Sequence, residues 1–178
     1  MKDWNVVLTS HINQERRLMR ELADLGEFAP SGFREVVLGR VAEVPGFLTA
    51  IMQRWKEQPF FQEVLSSVVP VRLVFPFTLE NLVPRLMEHL RPWAAEIGAR
   101  PFFVRLKRRG HKGEIKSQEV EQTLDRFLKE EIAGLGFTPT IDFSHPEAIV
   151  VVEVVHNQCG LGLITRELME GYPFIRIK

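Results

Sequence analysis

The chain has 178 residues, 45% of them hydrophobic, so it can build one large or two small domains with a substantial core. Its 23 basic and 23 acidic residues cancel, which excludes an overall positive field that would attract every polyanion. No run approaches the roughly 18 apolar residues of a membrane helix, the polar start lacks a signal-peptide core, and the single Cys159 cannot form an internal disulfide. We therefore expect a cytoplasmic protein with no membrane partner.

The first 77 residues alternate between strand and helix patterns. Apolar spacing predicts a strand in "WNVVLTS", a helix in "INQERRLMRELADLG", an extended "FREVVLGRVAE" and a helix in "PGFLTAIMQRWKEQ". A further short strand is expected near Glu27 to Pro30, and the alternate prolines of "VVPVRLVFPF" are typical of an edge strand. This order predicts a ferredoxin-like domain over residues 1–77.

A new periodicity begins at Thr78. Apolar residues at helical spacing predict a helical segment to about Ile97, bent or broken where Pro84 and Pro92 remove hydrogen bonds. The strand "FFVRLKRR" and a helix capped by Ser117 follow, and "AIVVVEVV" is apolar on both faces, as expected of a central strand. We predict further strands in "PTIDF", "LGLIT" and "PFIRIK". A second domain over residues 78–178 completes a predicted α+β fold.

The segment "FFVRLKRRGHKG", residues 102–113, begins as a strand and ends in a group of cations. The odd-numbered residues from 103 to 109 share one strand face, and neighbouring positive charges on it repel one another, so a negative partner is expected. Guanidinium groups bind phosphate oxygens in pairs, and a glycine lets backbone N–H groups approach an anion. The candidate contact residues are Phe103, Arg105, Lys107, Arg108, Arg109, Gly110, His111, Lys112 and Lys116.

Aromatic residues add a second kind of contact, because unpaired bases stack on aromatic side chains. Phe103 shares the cationic face and is the best candidate, whereas Trp55 and Trp93 are in phase with apolar stripes and are expected in the core. A competing interpretation is that the cations pair with the acidic helix after Ser117 and are otherwise solvated. The residues alone leave both interpretations open.

The order of these features resembles the THUMP domain, an RNA-binding module of several tRNA-modifying proteins. The resemblance covers roughly residues 79–178. It rests on the arginine pair and glycine that end the strand, on Ser117, and on the pattern of Asp142, Pro146 and Glu153 in the following hairpin. In this family a ferredoxin-like domain precedes the THUMP domain, and the two grip the acceptor stem and 3′ end of tRNA. The resemblance implies that the candidate residues bind RNA; Asp142 and Glu153 are expected to cap turns or pair with basic residues.

Among THUMP proteins, the chain resembles the small adaptor family that assists cytidine acetylation in tRNA, including the start "WNVVLTSHINQERRLMRELADLG". Most other members carry a fused catalytic domain, whereas here the pattern runs almost to Lys178. The resemblance implies a non-catalytic adaptor that holds tRNA for a separate tRNA-modifying enzyme, an acetyltransferase, without a cofactor or a DNA partner. Two alternatives remain, namely a protein-interaction module whose basic strand docks an acidic partner, and the RNA-binding subunit of a split tRNA-modification enzyme.

The sequence gives little support for metal binding, nucleotide binding or catalysis. The five histidines lack the spacing of a metal site, and one cysteine cannot hold a zinc cluster. The segment 160–162, "GLG", lacks the third glycine of a nucleotide loop, so a tight turn is predicted there, and Cys159 has no evident base beside it. The segment "GRVAEVPGF" resembles an acylphosphatase signature, but Ala42, Glu43 and Leu48 replace residues that the reaction needs.

Overall fold

A computed structural model describes residues 1–178 and divides them into two compact units. Unit 1 comprises residues 1–74 and 167–178, and unit 2 comprises residues 75–166. The domain boundary predicted after residue 77 therefore lies three residues from the division between residues 74 and 75. The final segment differs from the prediction, because residues 167–178 pack with unit 1 and not with the second domain.

Unit 1 combines a four-stranded antiparallel sheet with two α-helices. The sheet order β2-β3-β1-β4, joined in the sequence βαββαβ, is the ferredoxin-like fold. The predicted fold class is confirmed for this unit, and the extra short strand is β2. The elements are β1 (Val6–Ser10), α1 (Glu15–Leu22), β2 (Glu27–Pro30), β3 (Val36–Arg40), α2 (Val44–Glu57), a 3-10 helix (Pro59–Glu63) and β4 (Leu65–Pro70).

The helices of unit 1 bury the faces that their apolar spacing predicted. Helix α1 buries Leu18 and Leu22, four residues apart, as the period of an α-helix requires. Helix α2 begins near Pro45, where a proline fits because the first helical N–H groups have no partner within the helix. The buried residues of α2 are Phe47, Leu48, Ile51 and Trp55.

The C-terminal segment packs on unit 1 but is not a strand. Phe174 is fully buried beside Trp55, with 5.5 Å between the ring centroids, and its carbonyl accepts the N–H of Val68 in β4 at 2.9 Å. The predicted strand "PFIRIK" is wrong, because this one contact replaces a ladder.

Unit 2 contains a second four-stranded sheet in the order β5-β8-β7-β6. Strands β6 and β7 are parallel and are joined through α5, whereas β7 and β8 form an antiparallel hairpin. Strand β5 and helix α6 span the divisions between the units. The elements of unit 2 are β5 (Leu73–Pro76), α3 (Leu82–Leu90), α4 (Trp93–Ile97), β6 (Phe102–Arg109), α5 (Ser117–Gly134), β7 (Ala148–Val155) and β8 (Gln158–Thr165). Helix α6 (Arg166–Gly171) follows, and all of its residues except Arg166 belong to unit 1.

The proline-containing segment "VVPVRLVFPF" was predicted as one edge strand and forms two. Strand β4 ends at Pro70 on the edge of the first sheet, and β5 ends at Pro76 on the edge of the second. Proline has no N–H to donate to a neighbouring strand, which explains why both strands lie at edges. The edge prediction is confirmed, and the single strand is corrected to two.

Strand β7 lies between β6 and β8, and all of its residues are buried. The prediction of a central strand from its continuous apolar run is therefore confirmed. Residues 160–162 lie within β8, with Gly160 opposite Glu153 and Gly162 opposite Val151. The predicted tight turn at these glycines is wrong.

The helical segment of unit 2 breaks at Pro92, between α3 and α4, as predicted. The other proline of the prediction, Pro84, lies within α3, and the helix does not break there. Helix α5 begins at Ser117, so Lys116 and not Ser117 occupies the capping position, and no side chain caps it. The predicted strand "PTIDF" is reduced to one bridge between Ile141 and Phe102. None of the helices combines the length and apolar character needed to cross a membrane.

Candidate nucleic-acid interface

Strand β6 is an edge of the unit 2 sheet, and helix α5 covers most of that edge. Val104 donates its backbone N–H to Asp125 Oδ1 at 3.0 Å, and Leu106 donates to Glu121 Oε2 at 2.8 Å. The two carboxylates satisfy N–H groups that an edge strand would otherwise leave open. Part of the acidic character of α5 therefore serves the fold.

The carboxyl group of Asp125 is buried beneath this cover. Burial raises its pKa to about 6, although the hydrogen bond from Val104 acts in the opposite direction. The negative charge of Glu121, one helical turn earlier, raises the pKa further. The contact between α5 and β6 thus contains a carboxyl group that titrates near pH 6.

Helix α5 provides no such hydrogen bond to the last residues of β6. Outward N–H groups alternate along an edge strand, so the next one after Leu106 belongs to Arg108. This N–H has no acceptor, and the guanidinium of Arg108 turns back to donate from Nη1 to the carbonyl of Gly110 at 2.9 Å. The carboxyl end of β6 therefore presents N–H and guanidinium donors that no acidic side chain neutralises.

Three lysines extend this group of donors. Lys107 and Lys112 are exposed, and neither side chain forms an ion pair or a hydrogen bond. Lys116 lies 3.9 Å from Glu119, but both side chains are largely in water, where such a pair contributes little. These residues can therefore meet an external anion. We call Lys107, Arg108, Lys112 and Lys116 the β6-end cations.

The turn after β6 requires unusual backbone angles. Gly110 and Gly113 have φ of +95° and +80°, which glycine adopts without strain. His111 has φ of +55° and is held there because its Nε2–H donates to the carbonyl of His156 at 2.7 Å and its ring lies 5.5 Å from that of Phe77. The His111 side chain therefore has a structural role in the turn, and its contact with RNA stays a prediction.

Arg109 lies in the interior of unit 2. It is 8% exposed, and its guanidinium forms an ion pair with the buried carboxylate of Glu153 on β7. A phosphate cannot reach a guanidinium that is shielded from water and already paired. The predicted RNA contact by Arg109 is therefore corrected, whereas the prediction that Glu153 pairs with a basic residue is confirmed.

The guanidinium of Arg105 lies over the ring of Phe103 in a cation–π contact. Phe103 is 4% exposed, so the prediction that it stacks on a base is wrong. The guanidinium of Arg105 lies 5.2 Å from the centroid of its ring and 3.6 Å from Glu121, while its Nε is buried without a hydrogen-bond partner. The side chain is 38% exposed, so helix α5 neutralises Arg105 only in part.

The exposed aromatic residue near the cations is Phe143, which the sequence did not single out. Its ring is 64% exposed and lies 5.3 Å from that of Phe103. The preceding Asp142 accepts the N–H groups of Ser144 and His145, each at 2.9 Å, so the prediction that Asp142 caps a turn is confirmed. In the sequence, the only feature that could have indicated an exposed ring at Phe143 was its position beside a predicted turn.

The other groups considered for chemistry are not arranged for it. No three His, Cys, Asp or Glu side chains of residues 1–178 stand together as in a metal site. Cys159 is buried, and burial raises the pKa of its thiol, which opposes a nucleophilic role. Of the two tryptophans expected in the core, Trp55 is buried and Trp93 is half-buried. The β6-end cations remain the candidate site.

Residues 89–164 match the family model of the THUMP domain. This range contains β6, α5 and β7 together with all of the β6-end cations. The predicted fold, a ferredoxin-like domain followed by a THUMP domain, is therefore confirmed. No curated protein sequence matches the chain.

Several solved structures share the fold over most of the chain. TrmN from Thermus thermophilus has a TM-score of 0.63 and 22% identity, covering 90% of this chain and 45% of its own. A 4-thiouridine synthetase solved as an RNA complex with bound ATP has a TM-score of 0.58 and 11% identity, covering 90% and 41%. PH1313 from Pyrococcus horikoshii Ot3 has a TM-score of 0.57 and 14% identity, covering 89% and 53%. The chain thus spans about half the length of these proteins or less, and at such identity the likeness concerns the fold.

Proposed function

We propose that the chain binds tRNA through the β6-end cations and holds the acceptor stem and 3′ end for a separate tRNA-modifying enzyme. The observation that carries the proposal is that Lys107, Arg108 and Lys112 have no acidic partner, although an acidic helix packs along the same strand. The THUMP domain and the RNA bound in the similar 4-thiouridine synthetase support a nucleic-acid ligand.

The distribution of ion pairs favours an external partner for one end of the strand. Arg109 is neutralised by Glu153 and Arg105 in part by Glu121, so the fold supplies acids where it buries cations. At the β6-end cations it supplies only the weak contact of Lys116 with Glu119. Phosphate oxygens would satisfy both these charges and the open N–H of Arg108.

The expected mode of recognition is through shape. Double-stranded RNA hides its base edges in a deep, narrow groove, so phosphates, 2′-hydroxyls and unpaired ends remain accessible. Lysine and arginine contacts to phosphates carry no sequence information by themselves. The chain should therefore bind many tRNAs with similar affinity.

The adaptor role is the more specific part of the proposal. Its support is the resemblance of "WNVVLTSHINQERRLMRELADLG" to the small adaptor family that assists cytidine acetylation. In this role the chain acts in the cytoplasm, and the partner, an acetyltransferase, carries out the chemistry. The test is acetylation of cytidine in tRNA by that enzyme with and without the chain; equal rates would contradict the adaptor role and leave RNA binding untouched.

RNA binding is tested by measuring affinity for tRNA across a salt series. The variant Lys107→Ala with Lys112→Ala removes two unpaired cations of the interface. Because each lost phosphate contact removes one released counterion, the slope of log K against log salt should fall by roughly 1 to 2 units. The native chain should also bind tRNA lacking its 3′ CCA more weakly than intact tRNA.

The matched control is Arg126→Ala with Lys129→Ala, which removes the same charge from exposed positions on α5. The control should keep the salt slope of the native chain. If the two variants bind alike, the β6-end cations do not contact RNA. If unrelated polyanions compete as well as tRNA does, the same cations serve an acidic protein partner.

A further inference from the structure

Phe143 is the most exposed phenylalanine of the chain, at 64%, ahead of Phe137 and Phe60. An aromatic ring left in water forgoes the free energy that its burial would provide. Phe143 lies in the loop between α5 and β7, where its neighbours are Asp142 and Ser144.

The position of this ring is fixed by hydrogen bonds on both sides. Asp142 Oδ1 accepts two backbone N–H groups, which holds the pKa of its carboxyl below the ordinary value, and the N–H of Asp142 donates to the carbonyl of Phe102 at 3.1 Å. Arg166 Nη2 donates to the carbonyl of His145 at 2.9 Å. A loop held in this way loses little conformational entropy when a ligand binds.

The guanidinium of Arg105 lies close to Phe143, because both side chains contact the ring of Phe103. Phe143 and Arg105 both contact the ring of Phe103, with the ring of Phe143 at 5.3 Å and the guanidinium of Arg105 at 5.2 Å from its centroid. The guanidinium of Arg105 keeps hydrogen-bonding capacity, because the side chain is 38% exposed and the contact of its Nη1 with Glu121 is long, at 3.6 Å. An exposed π-face and a partly free guanidinium therefore stand on one buried ring.

We propose that Phe143 is a stacking platform for an unpaired base of the bound RNA, with the adjoining phosphate on Arg105. This inference rests on the proposed RNA binding and adds a single-stranded contact to it. Bases inside a duplex are covered on both faces by their stacked neighbours, whereas an unpaired base stacks on an aromatic ring regardless of its identity. The neighbouring cation suits a nucleotide, which carries a π-face and a phosphate together, better than an apolar peptide.

The test compares two RNAs, a blunt duplex and the same duplex with a single-stranded 3′ overhang that carries 2-aminopurine. The full chain is used as native protein, as Phe143→Ala and as Phe143→Trp. Loss of one stacked base should weaken binding of the overhang RNA by Phe143→Ala about 5- to 100-fold and leave the blunt duplex within about twofold. Phe143→Trp should retain the affinity, and native protein should quench 2-aminopurine where Phe143→Ala does not.

Leu135→Ala is the matched control, since it truncates another exposed apolar side chain in the loop after α5. It should bind both RNAs as the native chain does. If Phe143→Ala binds the overhang RNA as tightly as native protein, or loses affinity equally for both RNAs, the stacking platform is wrong while RNA binding stands. If the native chain binds neither RNA, the proposed function fails and the platform fails with it.

Discussion

The guanidinium of Arg109 on β6 and the carboxylate of Glu153 on β7 form a buried ion pair inside unit 2. Removing one partner of such a pair leaves an uncompensated charge in the interior, so we expect Arg109→Met to lower the free energy of unfolding by about 3–5 kcal/mol. Urea unfolding followed by circular dichroism measures the change.

The double variant Arg109→Met with Glu153→Leu distinguishes the lost charge balance from lost packing. Replacing both partners by apolar groups removes the unpaired charge, so most of the stability should return. The folded double variant should bind tRNA as the native chain does. A double variant as unstable as Arg109→Met would show that the ion pair is not the source of the effect.

Asp125 makes the stability of the chain depend on pH. Its pKa rises from 3.8 to about 6 on folding, so the folded chain holds the proton more tightly than the unfolded chain. The protonated carboxyl therefore contributes full stability below about pH 4, and this contribution is lost as pH rises through about 6. The loss is at most about 3 kcal/mol, at roughly 1.36 kcal/mol per pKa unit.

Asp125→Asn tests this titration, because its amide oxygen can still accept the N–H of Val104 while the charge is removed. We expect the free energy of unfolding of the variant to change less between pH 4 and pH 7 than that of the native chain. Urea unfolding at several pH values gives both curves. Glu130→Gln, an exposed change on the same helix, should leave the native profile unaltered. Parallel curves for native protein and Asp125→Asn would exclude Asp125 as the titrating group.

The face of a strand on which a side chain lies could be predicted from the sequence, but the residues that contact the side chain could not. Lys107 and Arg109 lie two residues apart on one strand face, and the alternation of β6 places both correctly. Lys107 is exposed, whereas Arg109 is buried and paired with Glu153. Periodicity gives the direction of a side chain and not what packs over it.

The same limit explains the errors at Phe103, Phe143 and the C-terminal segment. Phe103 shares a face with cations, but Phe143 and Arg105 cover its ring. "PFIRIK" alternates like a strand, yet the insertion of Phe174 beside Trp55 decides its course. By contrast, the continuous apolar run of β7 predicted its central place in the sheet, since burial on both faces leaves no other arrangement.

Gly110→Ala tests the turn that carries the β6-end cations. At φ of +95° an added Cβ is strained, so we expect the free energy of unfolding to fall by about 1–2 kcal/mol. The affinity for tRNA should also fall, since the carbonyl of Gly110 holds the side chain of Arg108. Gly134→Ala is the control: its Cβ would meet open space in α5, and it should stabilise the chain by about 0.5–1 kcal/mol. If Gly110→Ala is as stable as the native chain, the backbone of the turn adjusts to the added Cβ and the glycine is not required there.

The fully buried Phe174 makes the C-terminal segment part of the core of unit 1. Phe174→Ala removes a ring that packs on Trp55 and leaves a cavity, so we expect the free energy of unfolding to fall by about 3–5 kcal/mol. Arg176→Ala, an exposed change two residues later, should stay within about 0.5 kcal/mol of the native value. Urea unfolding of both variants measures the difference. If Phe174→Ala unfolds at the native urea concentration, the segment contributes nothing to unit 1, because a core residue of this size cannot be removed without loss of stability.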